Sequence, residues 1–242
     1  MASSSEAPQS ARDRLIVALD YPTAAAALSL VDRLESRCLW FKVGLELYLA
    51  TGPSIVETLR ARGFNVFVDL KLHDIPNTVA GAVRTLSNVG ASLLTIHAAG
   101  GRPMLLAAAE AVARTPDGPK LLAVTVLTSM DAQQLSEIGV SATPSAQVLR
   151  LARLANAAGI EGMVCSSQEV AQLRSDLGPQ GLLVVPGIRP AGSPADDQRR
   201  IATPATALAD GASLLVVGRP ITQSPDPAAA TDAILVEMSA AL

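Results

Sequence analysis

The chain has 242 residues and a formal net charge of −3, with 49% hydrophobic, 17% charged and only 2% aromatic residues. A slightly acidic chain lacks the basic face that general nucleic-acid binding requires, although a few local arginines and lysines can still hold a small anion. No apolar run reaches the roughly 18 residues of a membrane span, and Cys38 and Cys165 belong to no CxxC or Cys/His cluster, so both are expected to be small buried hydrophobes in a reducing compartment.

The N-terminus, MASSSEAPQSARDR, is small and polar and has no apolar h-region of a secretory signal. Residues 1–12 are therefore expected to be a disordered leader, residues 13–242 a single catalytic domain, and the protein cytoplasmic. From Arg14 onward short apolar runs alternate with longer helical patterns. Strands are predicted at Leu15–Leu19, Leu39–Val43, Val66–Leu70, Ser92–His97, Leu121–Leu127, Gly162–Ser166, Leu182–Pro186 and Leu214–Val217. Between them lie Ala- and Leu-rich helical segments, among them Thr23–Glu35, Ser54–Arg62, Val79–Val89, Met104–Ala113 and Ala146–Ala158, with Gly and Pro at the joins.

Strands that are apolar on both faces and alternate with helices imply a parallel sheet covered by helices. An open doubly wound sheet would carry GxGxxG after its first strand, but Asp20-Tyr21-Pro22-Thr23 stands there. The polar residues favour a single (β/α)8 TIM barrel instead, because they gather where strands end. Asp20, Lys42, Asp69 with Lys71, His97, Thr128-Ser129, Gly187-Ile188-Arg189 and Gly218-Arg219 all follow apolar runs. In a barrel these ends converge on one mouth, the face that carries active sites.

The densest of these ends is FVDLKLHDIPNT, Phe67–Thr78. A strand period of two places Asp69 and Lys71 on one side, with Asp74 just beyond and Lys42 on the preceding strand. Carboxylates and ammoniums so alternated each favour the other's charged form, and their titrations are coupled. The pattern fits a salt bridge at the rim, a hydrated divalent cation, or catalysis by a positioned lysine acid. A second constellation suits an anion: VVPGIRPAGS (Val184–Ser193) and VVGRPIT (Val216–Thr222) each combine glycines, whose amides can approach a phosphate, with an arginine. Barrels commonly bind phosphate with the loops after their last two strands. His97, with no nucleophile motif to serve, reads as a scaffold histidine.

These motifs, FVDLKLHDIPNTV with its Asp-x-Lys-x-x-Asp pattern, AVTVLTSM (Ala123–Met130), PGIRP (Pro186–Pro190) followed by Asp197-Gln198, and VGRPIT (Val217–Thr222), occur in an order and spacing that resembles the orotidine 5′-monophosphate decarboxylase family. The likeness runs from Leu15 to the last strand's loop. It implies cofactor-free decarboxylation of orotidine monophosphate to uridine monophosphate, the last step of pyrimidine nucleotide synthesis, with no metal. It further implies Lys71 as proton donor to C6 of the pyrimidine and Asp69 against the departing carboxylate, with Lys42 and Asp74 completing the network. Asp20 would bind ribose hydroxyls, Thr128 and Ser129 would lie at the pyrimidine, Pro186 would contact the substrate, and Arg189, Gln198, Gly218 and Arg219 would hold the phosphate. A homodimer with shared active sites is implied, Asp74 and Thr78 serving the partner's site. The Ala191–Arg200 segment is the natural candidate for a closing loop. The rival within the same superfamily is a metal-dependent phosphosugar decarboxylase or aldolase, which shares the Asp-x-Lys-x-x-Asp core.

Overall fold

The computed structural model describes residues 10–34, 36–190 and 202–242. Its eight strands are β1 (Leu15–Ala18), β2 (Trp40–Gly44), β3 (Asn65–Leu72), β4 (Leu93–His97), β5 (Lys120–Val124), β6 (Gly162–Val164), β7 (Leu182–Val185) and β8 (Leu214–Val217). They pair in parallel in sequence order, and β8 returns to β1 to close the barrel. The five expected helices occur as Ala24–Leu34, Ser54–Ala61, Pro76–Asn88, Gly101–Ala113 and Pro144–Asn156. Further helices include Leu45–Thr51, Ala132–Glu137, Val170–Leu177, Pro204–Ala209 and Pro227–Ser239.

Helix starts follow local chemistry. Thr143, Thr203 and Asp226 each accept a backbone N–H from the following first turn, which opens on Pro144, Pro204 and Pro227 respectively. A helical turn at Ala11–Arg14 precedes β1 and buries Ala11, so the described structure begins inside the segment expected as a leader; residues 1–9 lie outside the described residues.

Most strand boundaries shift by one or two residues from expectation, and those of β5 and β3 have a clear physical cause. β5 stops at Val124 rather than Leu127: Thr125 turns its hydroxyl to the Val164 carbonyl, and a turn closes from Met130 N–H to Leu127 C=O. Buried Val126 had continued the apolar pattern without continuing the ladder. β3 runs to Leu72, past Leu70, because its last residues form a bulge described below.

Alternation along the strands sorts the core into two compartments. Leu15, Val17, Val66, Val68, Leu121 and Ala123 belong to the layer between sheet and helices. Their neighbours Ile16, Ala18, Phe67, Leu93, Leu122, Val184, Leu214 and Val216 pack together inside the barrel. The lumen is thus plugged by apolar side chains, and whatever lies one step further along each inward-facing row stands at the mouth.

The opposite, N-terminal end repeats a motif. Gly-Ala-Ser-Leu-Leu leads into β4 at Gly90–Leu94 and into β8 at Gly211–Leu215. In each copy the serine hydroxyl takes an amide of the preceding strand, Val66 N–H for Ser92 and Leu183 N–H for Ser213. In each, an arginine from the helix before that strand, Arg60 or Arg174, reaches the serine oxygen. Both glycines have positive φ, +84° and +104°, and a Cβ on either would crowd the arginine's stem.

Candidate active site

Continuing the inward-facing rows of β2 and β3 by one step past Trp40 and Phe67 reaches Lys42 and Asp69, now at the mouth. Asp69 lies between two ammonium groups. Lys71 Nζ is 2.8 Å from its Oδ1 and Lys42 Nζ is 3.7 Å from its Oδ2. Lys42 in turn donates to Asp20 Oδ1 at 2.9 Å. The Lys42 and Asp69 side chains are each 12% exposed, against 32% for Lys71 and 58% for Asp20, so the network grades from buried to wet. Gly44 faces Asp69 across the β2–β3 pairing, and a Cβ there would come 3.0 Å from Lys42 Nζ. Glycine leaves room for the ammonium.

Asp69 and Lys71 do meet, as strand alternation predicted, but not through regular alternation. Between the pairs Val68↔Leu94 and Leu72↔Ile96 the register shifts, so that Asp69, Leu70 and Lys71 oppose Thr95 alone. Lys71 adopts φ +51°, a left-handed conformation uncommon for a lysine. The bulge turns its side chain back over Asp69. Thr95, fully buried, holds the bulge: its hydroxyl accepts Lys71 N–H at 2.9 Å and donates to Asp69 Oδ1 at 3.0 Å. Sequence reasoning missed this residue; the signal available was one hydroxyl in the otherwise apolar run Leu93-Leu94-Thr95-Ile96.

Burial pushes Asp69 toward protonation, yet the charges of Lys42 and Lys71 and the hydrogen bonds from Lys71 and Thr95 outweigh it and hold the carboxyl below its ordinary range. His97, at the end of β4, stacks on His73 with ring centroids 5.3 Å apart. Burial first, then the neighbouring His73 and Lys71, lower its pKa against the pull of Asp69. It flanks the network without joining it by a hydrogen bond among the described residues.

Behind Lys71 opens a cavity of about 230 Å³ whose polar wall is Lys42, Asp69, Lys71 and Thr128, with Phe67, Val124, Val164 and Val216 among its apolar lining. A second cavity of about 130 Å³ adjoins it, lined by Asp20, Gly187, Arg189, Gly218 and Arg219. Lys42, Pro186 and Val216 line both. The two form one elongated site, with an ammonium–carboxylate pair at one end and two guanidinium-bearing loops at the other. Such a site can take an anion at the arginine end and present a flat, partly apolar ring to a fixed ammonium.

Of the residues named from sequence, Asp20, Lys42, Asp69, Lys71, Thr128, Pro186, Arg189, Gly218 and Arg219 are brought to these cavities. Ser129 follows Thr128 in the same turn and is exposed. Asp74 is the member of the expected network assigned to the partner's site, and within this chain no ion pair among the described residues joins it to Lys42, Asp69 or Lys71. β3 has ended at Leu72, and the exposed Asp74 carboxylate instead accepts Ile75 N–H at 2.6 Å. Thr78 is exposed in the first turn of the Pro76–Asn88 helix. Gln198 and the Ala191–Arg200 segment lie outside the described residues. Among the described residues no three His, Cys, Asp or Glu side chains are grouped as metal ligands, and no helix is long and apolar enough to cross a membrane.

A family model described as Orotidine 5′-phosphate decarboxylase / HUMPS family matches residues 13–234. The chain is 53% identical over 228 residues to an orotidine 5′-phosphate decarboxylase of Nitrosococcus oceani, covering 94% of this chain and 98% of that one. It is 55% identical over 228 residues to the protein of the same name from Halorhodospira halophila, covering 94% and 97%. The crystal structure of orotidine 5′-phosphate decarboxylase from Lactobacillus acidophilus superposes with a TM-score of 0.82 at 39% identity, covering 93% of this chain and 98% of that one.

Proposed function

The chain belongs to the orotidine 5′-phosphate decarboxylase / HUMPS family, and from that premise we propose how the residues at its mouth divide the work. The enzyme removes the carboxylate of orotidine 5′-monophosphate as CO₂ and yields uridine 5′-monophosphate, a step of pyrimidine biosynthesis. The metal-dependent phosphosugar alternative does not stand beside relatives of this similarity.

When the C6–carboxylate bond breaks, its electron pair stays on a ring carbon that has no obvious place to delocalise it. Lys71 supplies what is needed: an ammonium that stabilises the developing carbanion and then gives C6 its proton, so that no organic cofactor enters the reading. Asp69 and Lys42 keep that ammonium charged and in place. Asp69, negative and beside the substrate carboxylate, disfavours the ground state more than the transition state, in which that charge departs. Asp20 binds ribose hydroxyls, Thr128, Ser129 and Pro186 border the pyrimidine, and Arg189, Gly218 and Arg219 hold the phosphate together with Gln198. The phosphate is remote from C6, and its binding energy orients the ring. The observation that carries this assignment is the Lys71 ammonium fixed 2.8 Å from a buried carboxylate at the edge of an apolar cavity.

The protein acts as a homodimer in the cytoplasm, on this reading. Asp74 and Thr78 stand exposed beside Ile75, which is 67% exposed, and the helix that follows β2 exposes Leu45 and Leu49, 51% and 80%. Apolar residues so presented around polar ones suit a partner's surface, and Asp74 and Thr78 would then complete the partner's site. Two buried cysteine thiols fit a reducing compartment.

Decarboxylation of orotidine monophosphate measured with EDTA present tests the division of labour. Lys71→Ala is expected to lower kcat by at least about 10⁴-fold, since it removes both the proton donor and the stabilising charge, while uridine monophosphate binding persists. Near-normal turnover by Lys71→Ala would assign the proton to another group.

A further inference from the structure

We propose that Thr95 is a positioning residue for the decarboxylation: one hydroxyl, seated in the β3 bulge, locks the backbone of Lys71 and the carboxylate of Asp69 into a single arrangement. The inference rests on the reading of Lys71 as proton donor.

The geometry leaves the hydroxyl no alternative. A backbone N–H can only donate and an ionised carboxylate can only accept. Thr95 Oγ1, lying 2.9 Å from Lys71 N and 3.0 Å from Asp69 Oδ1, must therefore accept from the first and give its only proton to the second. The same Asp69 oxygen receives Lys71 Nζ at 2.8 Å. Main chain, carboxylate and ammonium are thus closed into a ring through one fully buried side chain.

The bulge explains why a hydroxyl is needed here. Three residues of β3 oppose Thr95, so the Lys71 amide has lost its place in the ladder. Part-buried and off the ladder, that amide would be costly to orphan. Lys71 also holds φ +51°, a conformation that is unfavourable for a non-glycine residue and relaxes unless its surroundings fix it. Thr95 is the fixing contact from the neighbouring strand. A valine would fill the same space while offering neither acceptor nor donor, so the segment carrying the ammonium would be free to relax toward regular strand pairing.

Thr95→Val is the test, with Thr95→Ser as the variant that keeps the hydroxyl. Thr95→Val is expected to lower kcat about 10²-fold, the scale of a misplaced reacting group, with KM little changed because the lost interaction is not one with bound substrate. Asp69 also loses a donor, so the acidic limb of the kcat/KM profile should move to higher pH. The other charges facing Asp69 are Lys42 from β2, with Asp20 behind it, Lys71 from β3 and His97 from β4, and all are unaltered in this variant. Thr95→Ser should recover most of kcat and the original limb.

A purely structural threonine gives a different result: melting temperature falls in Thr95→Val while kcat and the pH limb stay as in the wild type, and that outcome overturns the proposal. Should Thr95→Val be insoluble, Thr95→Cys, similar in volume with a much weaker donor and acceptor, makes the same comparison. Lys71→Ala run in parallel separates the two readings. If it remains active, the proton-donor assignment fails whatever Thr95→Val does. If it is inactive and Thr95→Val behaves as wild type, Thr95 alone has been misread.

Discussion

At Asp69 two effects oppose each other, and the lysines win. Burial favours the neutral acid, while Lys42, Lys71 and the donated hydrogen bonds favour the anion, so the folded pKa lies below the ordinary 3.8. Its contribution to stability is therefore complete above that value and is lost only as pH falls through the lower, folded pKa. His97 behaves differently. Its folded pKa is depressed below 6.5 by burial, His73 and Lys71. Well above that pH both folded and unfolded chains carry a neutral ring, and the residue contributes no pH dependence. As pH drops below 6.5 the unfolded chain takes up the proton first, and stability declines. The melting temperature is accordingly expected to be lower at about pH 5.5 than at about pH 7.5, with the difference reduced in His97→Asn. An undiminished difference in that variant would place the acid sensitivity in other groups.

Among secondary-structure elements, β3 marks how far the sequence could be read. Its apolar start and charged end were legible because period-two alternation and the cost of burying charge leave few alternatives for Asp69 and Lys71. The bulge was not legible. A register shift depends on what the neighbouring strand offers, and Thr95 sits on β4, in a run whose own pattern signals only burial. A similar reason hid the true end of β5: Val126 is buried although it lies past the last residue of the ladder. The Arg174 contacts were equally silent, since a helical arginine reads as a solvated charge until the strand junctions are placed around it. Its guanidinium donates to the carbonyls of Gly178, Pro179, Gly181 and Gly211 and to Ser213 Oγ, tying the Val170–Leu177 helix to the starts of β7 and β8. Replacing it with methionine keeps the stem and removes every donor. Thermal unfolding should show a loss of about 2 kcal/mol, or a melting temperature lower by about 4–8 °C for a chain of this size. The value of kcat should be unchanged, because these contacts lie at the end of the barrel away from the mouth. A fall in kcat at unchanged stability would contradict a structural role.

The whole barrel separates stability from chemistry by its two ends. The N-terminal end carries the repeated Gly-Ala-Ser-Leu-Leu junctions with their arginine clamps, one before β4 and one before β8. At the mouth the corresponding strand pairs have diverged: β3 and β4 hold Asp69, Lys71 and Thr95, while β7 and β8 lead into the Arg189 and Arg219 loops. On the proposed assignment, substrate bridges the two halves, its reacting ring on one and its phosphate on the other. What one chain does not bring to this mouth is Asp74, which leaves the network at the end of β3 and stands exposed on the rim. If Asp74 serves the partner's site, two inactive proteins must be able to repair each other. In a mixed dimer of Lys71→Ala and Asp74→Asn chains, one site carries both defects. The other combines the Lys71 of the Asp74→Asn chain with the Asp74 of its partner and is intact. Random reassortment of equal amounts makes about half of the dimers mixed, so activity should return to about a quarter of that given by wild-type sites. Recovery should appear only under conditions that let subunits exchange. If mixed dimers form, as tagged chains captured together would reveal, and activity stays at the level of the separate variants, then Asp74 acts within its own chain and the shared site is wrong.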